Sequence, residues 1–188
     1  GRDAVGSLLP PEPARATETS SPATSAEISQ LPGLYIDERT GRVMRIAAAG
    51  TGLSTMQGNL VRLGERRYRN GRAVMTFQDG AARLDNDEAT SFRKVEAHAP
   101  TAAELAGLAG RYSSSEANGE IVLSVRDGKL ILAPLNRPSA AAALVPLTRD
   151  VYQDELGLVT IVRGPGGQAT GIRFTHPRVA SLVFSRAS

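Results

Sequence analysis

The sequence predicts an all-β chain: two consecutive antiparallel up-and-down barrels of about eight short strands each, joined by one short helix. Three observations predict it. Apolar residues alternate with polar ones over short runs: Met44 and Ile46 flank Arg45, Met75 and Phe77 flank Thr76, and Ile121, Leu123 and Val125 share one parity. A period of two places such sets on one face of a strand. Turn dipeptides punctuate these runs, among them Asn70-Gly71, Asp79-Gly80, Asn118-Gly119 and Asp127-Gly128. They supply the positive φ angles that tight hairpins demand. The third observation is an internal repeat of four landmarks in the same order. Leu31-Pro-Gly-Leu-Tyr35 matches Leu108-Ala-Gly-Arg-Tyr112, Gly58-Asn-Leu60 matches Gly128-Lys-Leu130, Tyr68 matches Tyr152, and Thr90-Ser-Phe92 matches Ser181-Leu-Val-Phe184.

Residues 1–30 read as a disordered leader. From Pro10 to Gln30 the chain is rich in Pro, Ser, Thr and Ala and nearly empty of large apolar side chains. Such a stretch buries too little surface to offset its ordering entropy. Val5, Leu8 and Leu9 before it fit the last turn of a helix in a preceding domain. The opening Gly1-Arg2-Asp3, without Met, reads as a piece of a longer polypeptide.

Residues 31–96 form the first, smaller barrel, with strands expected near 33–37, 42–48, 52–57, 59–64, 66–69, 73–78, 81–85 and 90–95. Thr101-Ala-Ala-Glu104 is a capping box, entered from Pro100 and followed by Leu105 and Leu108, so a helix of about two turns starts there. It opens the second segment, residues 97–188, whose longer barrel has strands near 110–114, 120–126, 129–134, 143–148, 150–154, 157–163, 168–175 and 180–187. Eight strands allow closure, which removes exposed edges.

The 22 basic and 19 acidic residues leave a net charge of only +3. The densest basic group (Arg62, Arg66, Arg67, Arg69 and Arg72) reads as a solvated hairpin surface. A nucleic-acid face would concentrate charge and interleave stacking aromatics, so no nucleic-acid partner is expected. No apolar run reaches the length of a membrane span. The absence of Cys excludes disulfides and thiolate metal sites and suits an exported bacterial protein.

Chemistry-bearing motifs are few. Ser91-Phe92-Arg93-Lys94 fits S-x-x-K, and Tyr68-Arg69-Asn70 fits the Y-x-N that accompanies it in penicillin-binding proteins and β-lactamases. There the Ser opens a helix, so the Lys one turn later reaches its hydroxyl. Here both residues fall on an expected strand, where positions three apart face opposite sides. The Tyr motif also precedes the Ser motif, and no K-T-G follows. No catalytic residue is assigned. His98 and His176 lack ligand-spaced partners. Asp85-Asn86-Asp87-Glu88 lacks the central Gly and spaced Glu of a calcium loop and reads as a hairpin tip. No metal or cofactor is expected. Arg163, Gly164, Pro165, Gly166, Gly167 and Gln168 form a Gly-rich loop without a following helix, so no phosphate cradle is expected. As a long mobile hairpin loop it is the candidate for partner contact.

The run Leu105-Ala-Gly-Leu-Ala-Gly110-Arg-Tyr112, followed by Glu120-Ile-Val-Leu-Ser-Val-Arg-Asp-Gly-Lys-Leu-Ile-Leu132, resembles the C-terminal, lipocalin-like barrel domains of β-lactamase-family serine hydrolases. The two-barrel plan is most similar to bacterial D-aminopeptidases. In that family a catalytic domain precedes a short and then a longer barrel, and a loop of the longer barrel reaches toward the active site. The resemblance covers residues 31–188 and carries over no catalytic residue. It implies a periplasmic or secreted accessory module that braces a catalytic domain of the same polypeptide, shapes substrate access, or self-associates. By chain order, residues 163–168 are the nearest match to the reaching loop. The alternatives are a lipocalin-like carrier of a small apolar ligand and, third, a hydrolase using Ser91.

Overall fold

A computed structural model describes residues 21–86, 89–155, 157–176 and 179–187. The expected helical turn at Val5, Leu8 and Leu9, and Asp87 and Glu88 of the acidic tip, lie outside the described residues. The described chain is all-β, with two antiparallel sheets, one nearly closed and one a closed barrel of eight strands.

The first sheet contains β1 (Gly33–Asp37), β2 (Arg42–Ala49), β3 (Gly52–Thr55), β4 (Gly58–Asn59), β5 (Val61–Gly64), β6 (Arg67–Asn70), β7 (Ala73–Gln78), β8 (Ala81–Asp85) and β9 (Thr90–Val95). Their order is β4-β3-β2-β1-β9-β8-β7-β6-β5. It therefore has nine strands, and it stops short of the closed barrel expected. The expected strand at 59–64 breaks at Leu60, whose side chain turns into the core and whose N–H donates to the Leu53 carbonyl at 2.8 Å. The two halves then pair away from each other, β4 with β3 and β5 with β6, which leaves a seam.

The second sheet closes, in chain order, through β10 (Gly110–Ser114), β11 (Gly119–Arg126), β12 (Lys129–Pro134), β13 (Ala142–Pro146), β14 (Val151–Gln153), β15 (Leu158–Arg163), β16 (Ala169–His176) and β17 (Val179–Arg186). Closure is the pairing of Tyr112 with Arg186 and Ser113 with Ser185. Every expected strand of this unit is present within two residues.

One correction concerns the leader. Residues 24–30 are not disordered: α1 (Ser25–Gln30) is a helix capped by Thr24, with the reciprocal bond from Glu27. It matches the expected α2 (Ala102–Leu108), capped by Thr101 and Glu104. The repeat thus begins at Thr24. Thr24, Glu27, Ile28, Leu31, Gly33, Tyr35, Ile46 and Leu53 stand at one constant displacement from Thr101, Glu104, Leu105, Leu108, Gly110, Tyr112, Leu123 and Leu130. Strand order also moves one landmark, since the counterpart of Leu130 on β12 is Leu53 on β3, not Leu60.

Each helix lies across one end of its barrel and is tied there in the same way. Tyr35 donates its hydroxyl to the Leu31 carbonyl at 2.8 Å, and Tyr112 donates to Leu108 at 2.7 Å. A cation from the last strand covers the same helix end: Lys94 donates to the Gln30 carbonyl, and Arg186 to those of Gly107 and Ala109. These bonds satisfy carbonyls that a helix C-terminus leaves unpaired. Gly33 and Gly110 open the first strands at φ +149° and +153°, and a Cβ at Gly33 would lie 2.6 Å from Lys94 Cε. Tyr35→Phe and Tyr112→Phe are each expected to lower the unfolding free energy by about 1 kcal/mol, because a carbonyl is left unpaired. Denaturant melts with unchanged slope check this.

Three cores result. Tyr35, Ile46, Leu53, Tyr68, Met75 and Phe77 fill much of the first barrel. Tyr112, Leu123, Leu130, Val159, Ile161 and Ile172 fill much of the second. The third lies between the barrels, where Leu34 and Ile36 meet Leu147, Val151 and Leu158. Leu34, Tyr35 and Ile36 are all buried because Tyr35 faces inward while its neighbours face the other barrel.

Candidate functional site

α1 closes one end of the first barrel, and the other end is open. The mouth is built from strand ends: Arg42 and Met44 of β2, the β3–β4 turn, Asn70 of β6, Met75 of β7, Leu84 of β8 and Phe92 of β9. It encloses a cleft of about 730 Å³, a size that suits a small ligand or an inserted segment. Met44, Met75, Leu84 and Phe92 line its apolar part. Below, Phe77 packs edge-on against Tyr35 and Tyr68, with ring centroids 5.7 Å apart in both pairs, and fills the helix end.

The rim comes from both barrels. Met56, at the tip of the β3–β4 turn, is 92% exposed. Asn70 donates to the Gln57 side chain beside it at 3.1 Å. Opposite stand Gln153, Asp154, Glu155 and Gly157 of the second barrel. That turn is braced: the Gly157 N–H donates to Asp154 Oδ1 at 2.7 Å, and the Asp154 N–H to the Gly157 carbonyl at 3.1 Å. Gly157 lies against the Thr175 carbonyl, and Gly41 of the first barrel approaches the same group. The join between barrels is therefore close-packed where it meets the mouth.

A second, smaller cavity of about 380 Å³ lies at the seam near the helix end. Glu27 is buried beside it and accepts four bonds, from the Thr24 and Arg66 N–H groups and twice from Arg62. Burial pushes its carboxyl up, but the backbone donors Thr24 and Arg66 and the Arg62 guanidinium hold it at about 2. Two members of the basic group read as a solvated surface are thus engaged: Arg62 pairs with Glu27 at 3.0 Å, and Arg66 pairs with Asp79. In the second unit, the Thr101 N–H and then His98 hold Glu104 at about 2.

The residues singled out by motif do not converge. Ser91 is exposed and stands opposite Arg83 on β8, whereas Lys94 stands opposite Tyr35 with its amine on the Gln30 carbonyl. Tyr68 is buried, and Asn70 lies at the mouth. His98 bonds Glu104 at 3.1 Å, and His176 ends β16. Arg163, Gly164, Pro165, Gly166, Gly167 and Gln168 span the end of β15 and the turn into β16. Arg163 donates to Asp150 at 2.7 Å and to the Gly167 carbonyl at 2.8 Å, and the Gly164 N–H donates to the Gln168 carbonyl. This hairpin lies at the α2 end of the second barrel. Roughly 20 Å of strand separates it from Gly157.

Sequence reasoning missed the mouth, the seam and α1. Only α1 had a local signal, the Thr24-x-x-Glu27 capping box. The fold and its sites define a tandem of two helix-capped barrels. No protein-family model and no curated protein matches the chain.

Proposed function

We propose that the chain is a non-catalytic accessory module of an exported serine hydrolase of the β-lactamase family, most like the D-aminopeptidases, and that the mouth of its first barrel meets the catalytic domain of the same polypeptide. The observation that carries this reading is the rim. Met56 stands almost fully exposed beside a cleft with an apolar floor, and both barrels frame that cleft. A methionine held in solvent at the lip of an apolar-floored cleft is a contact that a partner can cover. The shared core of Leu34, Ile36, Leu147, Val151 and Leu158 supports it, because the rim then needs both barrels in place.

The test is deletion of residues 21–188 from the full-length polypeptide. Loss of catalytic-domain stability, or altered substrate preference, is the expected result. An unchanged enzyme, or an upstream sequence without an S-x-x-K helix, defeats the proposal.

The same cleft favours one other reading, a lipocalin-like carrier, because Met44, Met75, Leu84 and Phe92 would suit an apolar ligand. Titration with anilinonaphthalene sulfonate separates the two. Saturable binding abolished by Met44→Lys supports the carrier, whereas no saturable binding supports the module.

A further inference from the structure

Four carboxamide side chains line the mouth of the first barrel: Gln57, Asn70, Asn86 and Gln153. The charges of that lining cancel, since Arg42 and Arg45 of β2 are matched by Asp154 and Glu155 of the second barrel. A site so balanced has no net charge to offer an ion. Its commonest polar group is the one found in a peptide bond.

Asn70 donates from Nδ2 to Gln57 Oε1 at 3.1 Å. A carboxamide carries one acceptor oxygen and two donor hydrogens. The bond therefore leaves an acceptor on Asn70 beside donors on Gln57. An extended peptide presents the converse set, an N–H and a C=O, which is the basis of strand-like peptide recognition. The part of the floor open to contact is Met44 and Leu84, both half-buried, whereas Met75 and Phe92, at 0% and 5% exposure, only support it. The chain has three methionines, and Met44, Met56 and Met75 all line this cleft. Methionine is unbranched and repacks around apolar side chains of differing shape.

We infer that the mouth receives a protruding loop of the catalytic domain, uncharged where it enters, that lays one aliphatic side chain on Met44 and Leu84 and bonds its main chain to Asn70 and Gln57. The inference rests on the accessory-module reading and names the chemistry of the partner segment.

The experiment is NMR on the full chain labelled at its methionine methyls. N-acetylleucine methylamide is the probe. N-acetylalanine methylamide lacks the aliphatic side chain, isoamyl alcohol lacks the amides, and N-acetylglucosamine carries its amide on a sugar. The leucine probe is expected to shift the Met44 and Met56 signals saturably, with a dissociation constant of about 1 mM for so small a fragment. The alanine probe is expected to bind roughly tenfold more weakly, and isoamyl alcohol to leave the signals in place. Gln57 is exposed, so Gln57→Ala should melt with the parent. It is expected to weaken the leucine probe about threefold to tenfold, the worth of one hydrogen bond. The inference is overturned by no saturable shift, by equal binding of the leucine and alanine probes, or by unchanged binding in Gln57→Ala. Isoamyl alcohol binding as tightly as the leucine probe also overturns it, in favour of an apolar-ligand cavity, and so does the sugar, in favour of a glycan site. The module reading itself is decided by deletion of residues 21–188, so the two can fail separately.

Discussion

Replacing Glu27 with Gln is expected to lower the unfolding free energy by about 3 kcal/mol and to release α1 from the first barrel. The carboxylate is 4% exposed and accepts four bonds that join residues 24, 62 and 66. Removing one partner of such a pair leaves the other charge buried and uncompensated, which costs about 3–5 kcal/mol. The lower figure applies because a single short helix covers the pair and Arg62 can turn to solvent. The effect depends on pH with a definite sign. The folded carboxyl sits at about 2, against 4.5 in an ordinary environment. Its contribution is fully present above 4.5 and is lost as pH falls toward 2. A displacement of that size corresponds to roughly 3 kcal/mol. Glu104 is displaced in the same direction and adds a slope of the same sign. Urea melts of the parent should therefore weaken steeply between pH 4.5 and 2, and those of Glu27→Gln should weaken much less. Parallel curves would show that Glu27 does not fasten the helix.

Gly157→Ala is expected to cost about 3 kcal/mol, near the upper end for overpacking a fixed site. A methyl group there would lie far inside the contact distance of the Thr175 carbonyl oxygen. The obstacle is backbone on β16, so no side chain can swing away. Relief requires the start of β15 to move from β16, at the place where Gly41 of the first barrel also packs. The join between barrels should loosen with it, and Leu158 should leave the core it shares with Leu34 and Ile36. Gly107→Ala is the comparison. It sits within α2 with nothing within 4 Å of a new Cβ, and should stabilise by roughly 0.5–1 kcal/mol. Thermal melts of the two variants, moving in opposite directions, check the packing directly.

The strands were legible because their signal is local. Runs such as β7, β11 and β16 carry their own alternation, and turn residues such as Asn70-Gly71, Asp79-Gly80 and Asp127-Gly128 bound their neighbours, so tertiary structure had little to add there. α1 was not legible from composition, because its few apolar residues sit in a Ser- and Thr-rich stretch. What holds it is a carboxylate bonded to Arg62 and Arg66, far along the chain. The break at Leu60 was hidden because Leu60 and Arg62 keep the parity of a continuous strand. Only the pairing of β4 and β5 with different neighbours reveals it. Leu34-Tyr35-Ile36 was read only as part of a strand; its burial on both faces comes from Leu147, Val151 and Leu158 of the other unit, far along the chain. The mouth left no local trace, since its floor is one side chain from each of four strands. Chain order and a Gly-rich loop pointed to residues 163–168, which the fold places at the α2 end of the second barrel, away from the mouth.

The most direct test of this account is the substrate preference of the full-length polypeptide carrying Met56→Asp. The side chain is solvent-facing, so the barrel itself should fold unchanged. The module reading predicts that the ratio of kcat/KM between a small and a bulky substrate shifts by roughly tenfold, equivalent to about 1.4 kcal/mol at the transition state. An unaltered ratio, with the barrels folded, would contradict the claim that the mouth of the first barrel is the working surface.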